Sequence, residues 1–373
     1  MRIPQASTSR IAQHSSDCQT DSPRIQGRQS AGIPRPTAVV SADAVHGLGP
    51  RSDRAAQVLR NAVTARPAIW GELRSLAPPS TAQGLLAIAR DLALVVGAVL
   101  LSKICATCPA WLRDAAYVGS AFLIASAQRG LEHLIHYATH FTLVKGLKCN
   151  VFIGRTLSVV LGHAFEAERS SHRDHHDDFW GPADPDYRRL REAGLDGLPA
   201  TDVSGLVSAL VVAIPKYMRS TVRYFFFPTG ETTADRMIRV GCWLTLVGSA
   251  AASLGGVPVL AYWFLPFLFV LPIIRFVGET SEHSALGCGD ELLTTRNNVG
   301  TLQLFFIHAH ADGFHAVHHL YPWLPPHNIT RAHQILLRLP EYRDYAQTCH
   351  GLLSAPHGKR ATIYDMLRPA PRS

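Results

Sequence analysis

Lysine is scarce in this chain of 373 residues. Of 36 Lys and Arg residues, only Lys103, Lys145, Lys148, Lys216 and Lys359 are lysines. The arginine bias fits a GC-rich bacterial genome, and the scattered basic residues match no nucleic-acid motif, which excludes a nucleic-acid binder. Charged residues make up only 17% of the chain, with bases ahead of acids, for a net charge of +8. Cysteine lacks a framework: of seven, only Cys105 and Cys108 form a CxxC, at the end of an apolar run. Without a second pair or a βαβ pattern, that motif is neither a zinc nor a redox site. It reads as small apolar side chains near a helix end. No flavin, nicotinamide or haem motif and no cytochrome b5 signature is found, so any redox chemistry takes its electrons from outside. Residues 1–65 show neither apolar periodicity nor an h-region. That excludes a secretory signal and predicts a disordered tail.

What the chain does have is long apolar runs. Residues 84–106, 114–131, 239–254 and 257–276 are four such runs, the last two joined by Gly255 and Gly256. Each is near the ~20 residues needed to cross a bilayer core. Arg90 and Asp91 mark the interfacial end of the first. Shorter runs at 151–164 and 203–215 read as interfacial or cap helices, and Tyr224 to Phe227 as interfacial anchoring. Four crossings in two hairpins place both ends and the central segment on one side. Residues 128–236 hold 13 Lys and Arg, so that side is cytoplasmic by the positive-inside rule. The expectation is an all-α, multi-pass membrane protein with a cytosolic histidine-rich cap. Its domain would span 66–345, with a C-terminal tail over 346–373. A soluble all-α protein with buried hairpins is the alternative, and the length of the fourth run argues against it.

Histidine is the other abundance, at 19 residues. "EHLIHYATH" places His136 and His140 one helical turn apart, able to grip one metal. "HRDHH" places His172, His175 and His176 at i, i+3 and i+4 on one helix face. "ETSEH" ends in His283, and "HAVHH" repeats the triple at His315, His318 and His319. The predicted topology returns all four clusters to one side of the membrane. Nine imidazoles exceed the about four ligands that close a zinc site, so two ions are expected. Imidazole suits Fe, Zn, Cu and Ni alike. An all-histidine shell leaves the cationic charge to outer carboxylates. The candidates are Glu132, Asp174, Asp177, Asp178, Glu279, Glu282 and Asp312. His133, His308 and His310 read as buried hydrogen-bonded histidines, and His163, His327 and His333 as structural or surface residues.

At "HYATH", "HRDHH" and "HAVHH" the sequence resembles the membrane-bound fatty acid desaturase family, over roughly residues 85–340. "DPDY", "GETSEH" and "HHLYPWLPPHN" extend the match. The resemblance implies four transmembrane helices, a cytosolic cap and two iron ions in a non-haem centre that uses O2 and two electrons. It implies that His136, His140, His172, His175, His176, His315, His318 and His319 ligate iron, with His283 as the extra histidine before the last box. Two positions depart from the family pattern. Tyr137 stands where an acid often follows the first histidine, and Ala311 where Asn often precedes the last box, with Asp312 or His310 as substitutes.

The reading is a desaturase of an aliphatic, fatty acyl chain that enters a tunnel between the membrane helices and the cap. Its partners are an external donor (ferredoxin, rubredoxin, or cytochrome b5 with its reductase) and membrane lipid, and its place the bacterial inner membrane. A hydroxylase with the same centre is the nearest rival. A zinc membrane hydrolase and a metal transporter are more distant. Transporters place ligands at the bilayer midplane, whereas these boxes lie outside the apolar runs.

Overall fold

A computed structural model describes residues 55–181, 183–195, 202–228, 230–286 and 291–367. Nearly all regular structure there is helical. In chain order come α1 (Ala55–Thr64), α2 (Pro67–Ser75), α3 (Thr81–Ile104), α4 (Ala110–Thr139), α5 (Leu147–Leu161), α6 (Phe165–Asp177), α7 (Pro185–Ala193), α8 (Val203–Phe226) and α9 (Thr233–Leu254). A continuous helical run follows: α10 (Gly256–Val259), two π-helical turns at Leu260–Phe264 and Pro266–Val270, and α11 (Leu271–His283). Then come β1 (Arg296–Asn298), α12 (Thr301–Phe306), α13 (His315–Leu320), α14 (Pro326–Leu336), α15 (Pro340–Arg343), β2 (Gln347–Cys349) and α16 (Thr362–Asp365).

Local chemistry sets the helix ends. Ser80 accepts from Gln83 N at the start of α3, and Thr232 from Asp235 N at the start of α9. Asp184 accepts from the backbone N–H of Asp186 and Tyr187 to open α7, and Pro185 fits the first turn, where its missing N–H costs nothing. Pro266 and Pro272 lie where the last long run turns π-helical, since proline removes a donor from the α ladder.

Among the described residues, three helices are long and apolar enough to cross a membrane: Thr81–Thr107, Thr233–Leu254 and Gly256–His283. The expected second span, 114–131, lies within α4 and outside that set. The reason is physical. α4 is a packed inner helix with buried Ser120, Ser126, Gln128, Glu132 and His133. Several of its polar groups hydrogen-bond to neighbouring helices. Ser120 Oγ donates to Ala98 O at 2.7 Å, Tyr117 OH to Ala261 O at 2.9 Å, and Gln128 Nε2 to Trp263 O at 3.1 Å. Such bonds hold helices together where apolar burial gives no driving force. At a 1.5 Å rise per residue, α4 is about 45 Å long. Its C-terminal end carries the first histidines beyond the apolar stretch.

Both expected tails contribute to the fold. Within 1–65, residues 55–64 form α1, whose Ala55, Ala56, Leu59 and Val63 are buried in the main core. The rest of that segment lies outside the described residues. Within 346–373, β2 pairs in parallel with β1, Arg296 facing Gln347 and Asn298 facing Cys349. Beyond it, Asp365 meets the fully buried Arg296 at 2.7 Å. β1 thus ties together the end of α11, the start of α13 and the C-terminal segment. Asn298 N donates to Gly313 O at 2.6 Å, Asn298 Nδ2 to Ser281 O at 3.1 Å, and Thr362 Oγ1 to Asn298 Oδ1 at 2.8 Å.

Removing one partner of a buried ion pair costs about 3–5 kcal/mol. Asp365→Ala is therefore expected to lower the thermal midpoint of the purified protein by roughly 10 °C. An unchanged midpoint would show that the C-terminal segment does not brace β1.

Candidate metal centre

The nine predicted histidines converge, and they do so as two groups. His136, His140, His172 and His318 present ring nitrogens within 4.8 Å of one another, and so do His175, His283, His315 and His319. His176 joins the first group, its Nε2 3.0 Å from His172 Nε2 and 3.2 Å from His318 Nε2. Further Nε2 pairs close the groups: His140 to His172 at 2.7 Å, His136 to His318 at 3.0 Å, and His175 to His319 and His315 to His319 at 3.2 Å each.

The split follows from helix geometry. In α6, His172 and His176 are one turn apart and serve the first group, while His175 points to the second. In α13 the roles reverse: His315 and His319 serve the second group, and His318 the first. H-x-x-H-H is therefore a spacing that straddles two centres, because i and i+4 share a line along the helix and i+3 lies beside it. α4 adds His136 and its cap residue His140 to the first group, and α11 ends on His283 in the second.

Outer partners aim several rings. His136 Nδ1 donates to Asp312 Oδ1 at 3.1 Å, His175 Nδ1 to Asp184 at 3.0 Å, and His283 Nδ1 to the Thr294 carbonyl at 3.1 Å. A carboxylate or carbonyl only accepts, so each ring carries its proton on Nδ1 and turns the Nε2 lone pair inward. His283 Nε2 is buried with no hydrogen-bond partner. That orphaned acceptor, among converging imidazoles, fits a divalent transition metal in each group.

Burial opposes charge on most of the other rings. Desolvation pushes His140, His172, His315, His318 and His319 well below the usual imidazole range. It takes His176 down to about 3. Burial also opposes charge on His175, but the Asp186 and Asp184 carboxylates outweigh it and raise that ring. Neutral rings at neutral pH keep their lone pairs free for metal.

The expected acids divide. Asp312 faces His136 and His133, the latter at 3.2 Å. Of the two residues expected to substitute for Ala311, Asp312 stands beside a histidine of the first group, while His310 turns away to Asp91 at 2.6 Å. Glu282 Oε2 lies 3.7 Å from His315 Nε2, and Glu282, His308 and Asp312 form a third compact group. Glu279 pairs with Arg189 at 2.9 Å. Asp174 corrects the expectation: it is exposed on α6 and stands outside both groups, since i+2 from His172 lies off the histidine face. Asp177 is exposed too, and Asp178 accepts from Ala183 N. His163 meets Glu132 at 3.5 Å, and His333 pairs with Tyr342 at 2.8 Å as a structural residue. Sequence reasoning gave Asp184 no role. Its signal was the Asp-Pro that opens a helix eight residues after the box.

Beside both groups lies a cavity of about 150 Å³ whose wall is ionic. Arg129, Arg189 and Arg275 line it together with Glu132, Glu279 and Glu282. It also touches His136, His172, His175 and His315.

The sequence profile of the fatty acid desaturase family matches residues 113–351, which contain every histidine of both groups. The chain belongs to the fatty acid desaturase family. It is 28% identical to a dihydrorhizobitoxine desaturase of Bradyrhizobium elkanii over 308 residues, covering 77% of this chain and 85% of that one. It is 26% identical to a probable fatty acid desaturase of Sorghum bicolor over 217 residues, 48% of this chain and 54% of the other. Family membership supports an oxidoreductase of desaturase type, in a protein with membrane-like helices and histidine groups able to hold metal.

Asp184→Asn keeps a good helix cap but removes the charge behind His175. It should weaken metal retention roughly 10–100-fold, the usual effect of losing such a partner. Chelator titration of the purified protein reads this directly, and unchanged retention would remove Asp184 from the centre.

Proposed function

We propose that this chain is a membrane-bound, O2-dependent desaturase with two irons, one in each histidine group. The carrying observation is the partition of nine imidazoles, five buried and four half-buried, into two adjacent groups within a desaturase-family chain. His136, His140, His172, His176 and His318 would hold one iron, and His175, His283, His315 and His319 the other. When bound, the irons supply the oxidising power from O2 that breaks an unactivated C–H bond. The balance is a saturated –CH2–CH2– unit, O2, two electrons and two protons giving –CH=CH– and two waters. Asp312 and Asp184 keep His136 and His175 in the ligating tautomer, and Glu282, beside His315, is placed to move protons at the cavity wall.

In this reading α3, α4, α9 and the run 256–283 cross the bilayer. The ends of α4 and α11, with α6 and α13, form a cytoplasmic cap. The 13 Lys and Arg of segment 128–236 favour that sidedness, and the electrons would come from an external carrier such as a ferredoxin, rubredoxin or cytochrome b5 with its reductase. A bacterial inner membrane is the matching location. The family description points to a fatty acyl chain, while one relative is named for dihydrorhizobitoxine.

Expression in a bacterial host under 18O2, followed by lipid and metabolite profiling, tests this. A product two hydrogens lighter and free of label is expected, and it should vanish in His175→Ala. Label retained in the product would make the enzyme a hydroxylase. Unsaturation that survives His175→Ala would remove the histidine groups from the chemistry.

A further inference from the structure

We infer that the substrate is a small zwitterion, a short aliphatic chain bearing a carboxylate beside an ammonium group, held by the ionic cavity next to the histidines. This rests on the desaturase reading for the chain that is oxidised, and on the cavity wall for the group that is bound.

The wall is unsuited to a long acyl chain. Sites for drug-sized ligands run to roughly 300–1,000 Å³ and are mostly apolar, whereas this cavity measures about 150 Å³. Glu132, only 4% exposed, is clasped by both Arg129 and Arg275. Arg189 pairs with Glu279 at 2.9 Å and Asp186 at 2.6 Å. A methylene chain pushed against these groups would strip their remaining water and return no hydrogen bond, which is strongly unfavourable for charges. The same groups therefore select against lipid tails while they select for polar ligands.

The unused donors and acceptors define the ligand. Arg129 and Arg275 carry five N–H donors each, and their shared carboxylate has about four lone-pair sites. Donors are left over, and Arg129 Nε is buried without a partner. A second carboxylate would take them in the planar fork geometry that arginine favours. Thr221 Oγ1, also on the wall, is buried and unpartnered and adds a neutral donor. Glu282 supplies the opposite half. It is 5% exposed and lines the cavity, and its Oε1 lies 3.2 Å from His308 Nδ1, which leaves further lone pairs of the carboxylate open to a cation. Oε2 stands 3.7 Å from His315 Nε2. An ammonium held on Glu282 is thus one side chain from the second histidine group, and the chain attached to it is short enough to be oxidised there.

The test reads binding without turnover. The full-length, iron-loaded protein in nanodiscs, anaerobic and without reductant, is titrated by calorimetry with L-norleucine, hexanoate, n-pentylamine and palmitoyl-CoA. L-Norleucine should bind saturably and at least tenfold tighter than hexanoate or n-pentylamine, each of which satisfies only half of the wall. Arg129→Gln should weaken it tenfold or more with iron content unchanged. If that variant loses iron, Thr221→Val, which conserves volume, decides: one lost hydrogen bond weakens binding about three- to tenfold. Equal affinity for hexanoate overturns the inference, as does binding of palmitoyl-CoA with none of L-norleucine. Because no oxidation is read, a failure of desaturation leaves this result standing. A lipid desaturase that ignores L-norleucine refutes the inference and not the activity.

Discussion

Nine imidazoles converge on two adjacent points in a largely buried site, an arrangement suited to a cation at each. That constraint organises the molecule. Nε2 atoms sit 2.7–3.2 Å apart across four chain segments, and burial keeps most of these rings neutral. Each helix that carries a histidine is fixed by something other than the histidine. α4 is pinned by polar bonds to α3 and to the run 256–283. α6 is fixed through Asp184 at the start of α7. α11 and α13 are fixed by β1, which the C-terminal segment braces through Arg296 and Asp365. Rigid elements behind the ligands are what a preorganised metal site requires.

Charge is the second consequence. A shell of neutral histidines returns none of the metal's charge, so carboxylates must do so from one step out. The structure places Asp184, Asp312 and Glu282 there, and sets Glu132 and Glu279 against buried arginines on the cavity side. The same excess of buried charge that balances metal makes the cavity inhospitable to a lipid tail.

The histidine groups were legible in the sequence because i, i+3, i+4 spacing is a local property of a helix. Which acids back them was not. Asp174 lies inside the box and is exposed, whereas Asp184 lies outside it and is buried, because a helix end folds back over the ring. Asp312 and His310 were equal candidates in sequence. His310 adopts a left-handed backbone (φ 59°) and turns to Asp91 on α3, a contact 219 residues distant. A Cβ on Gly130 would strike that same Asp91, so α3 and α4 meet at a glycine that no periodicity singles out. The second crossing was half legible. Its hydrophobicity suggested a span, but its buried serines and Gln128 mark a helix packed among others. Both expected tails hid structure, because α1 and α16 are short pieces whose worth lies in distant contacts.

Iron per chain, measured on the purified protein after anaerobic loading and removal of loosely bound metal, tests the central claim most directly. Two separate histidine groups predict two irons in the native chain, one in His140→Ala and one in His283→Ala. A single ion in the native chain, or both irons retained in each variant, would contradict a centre built from these two groups.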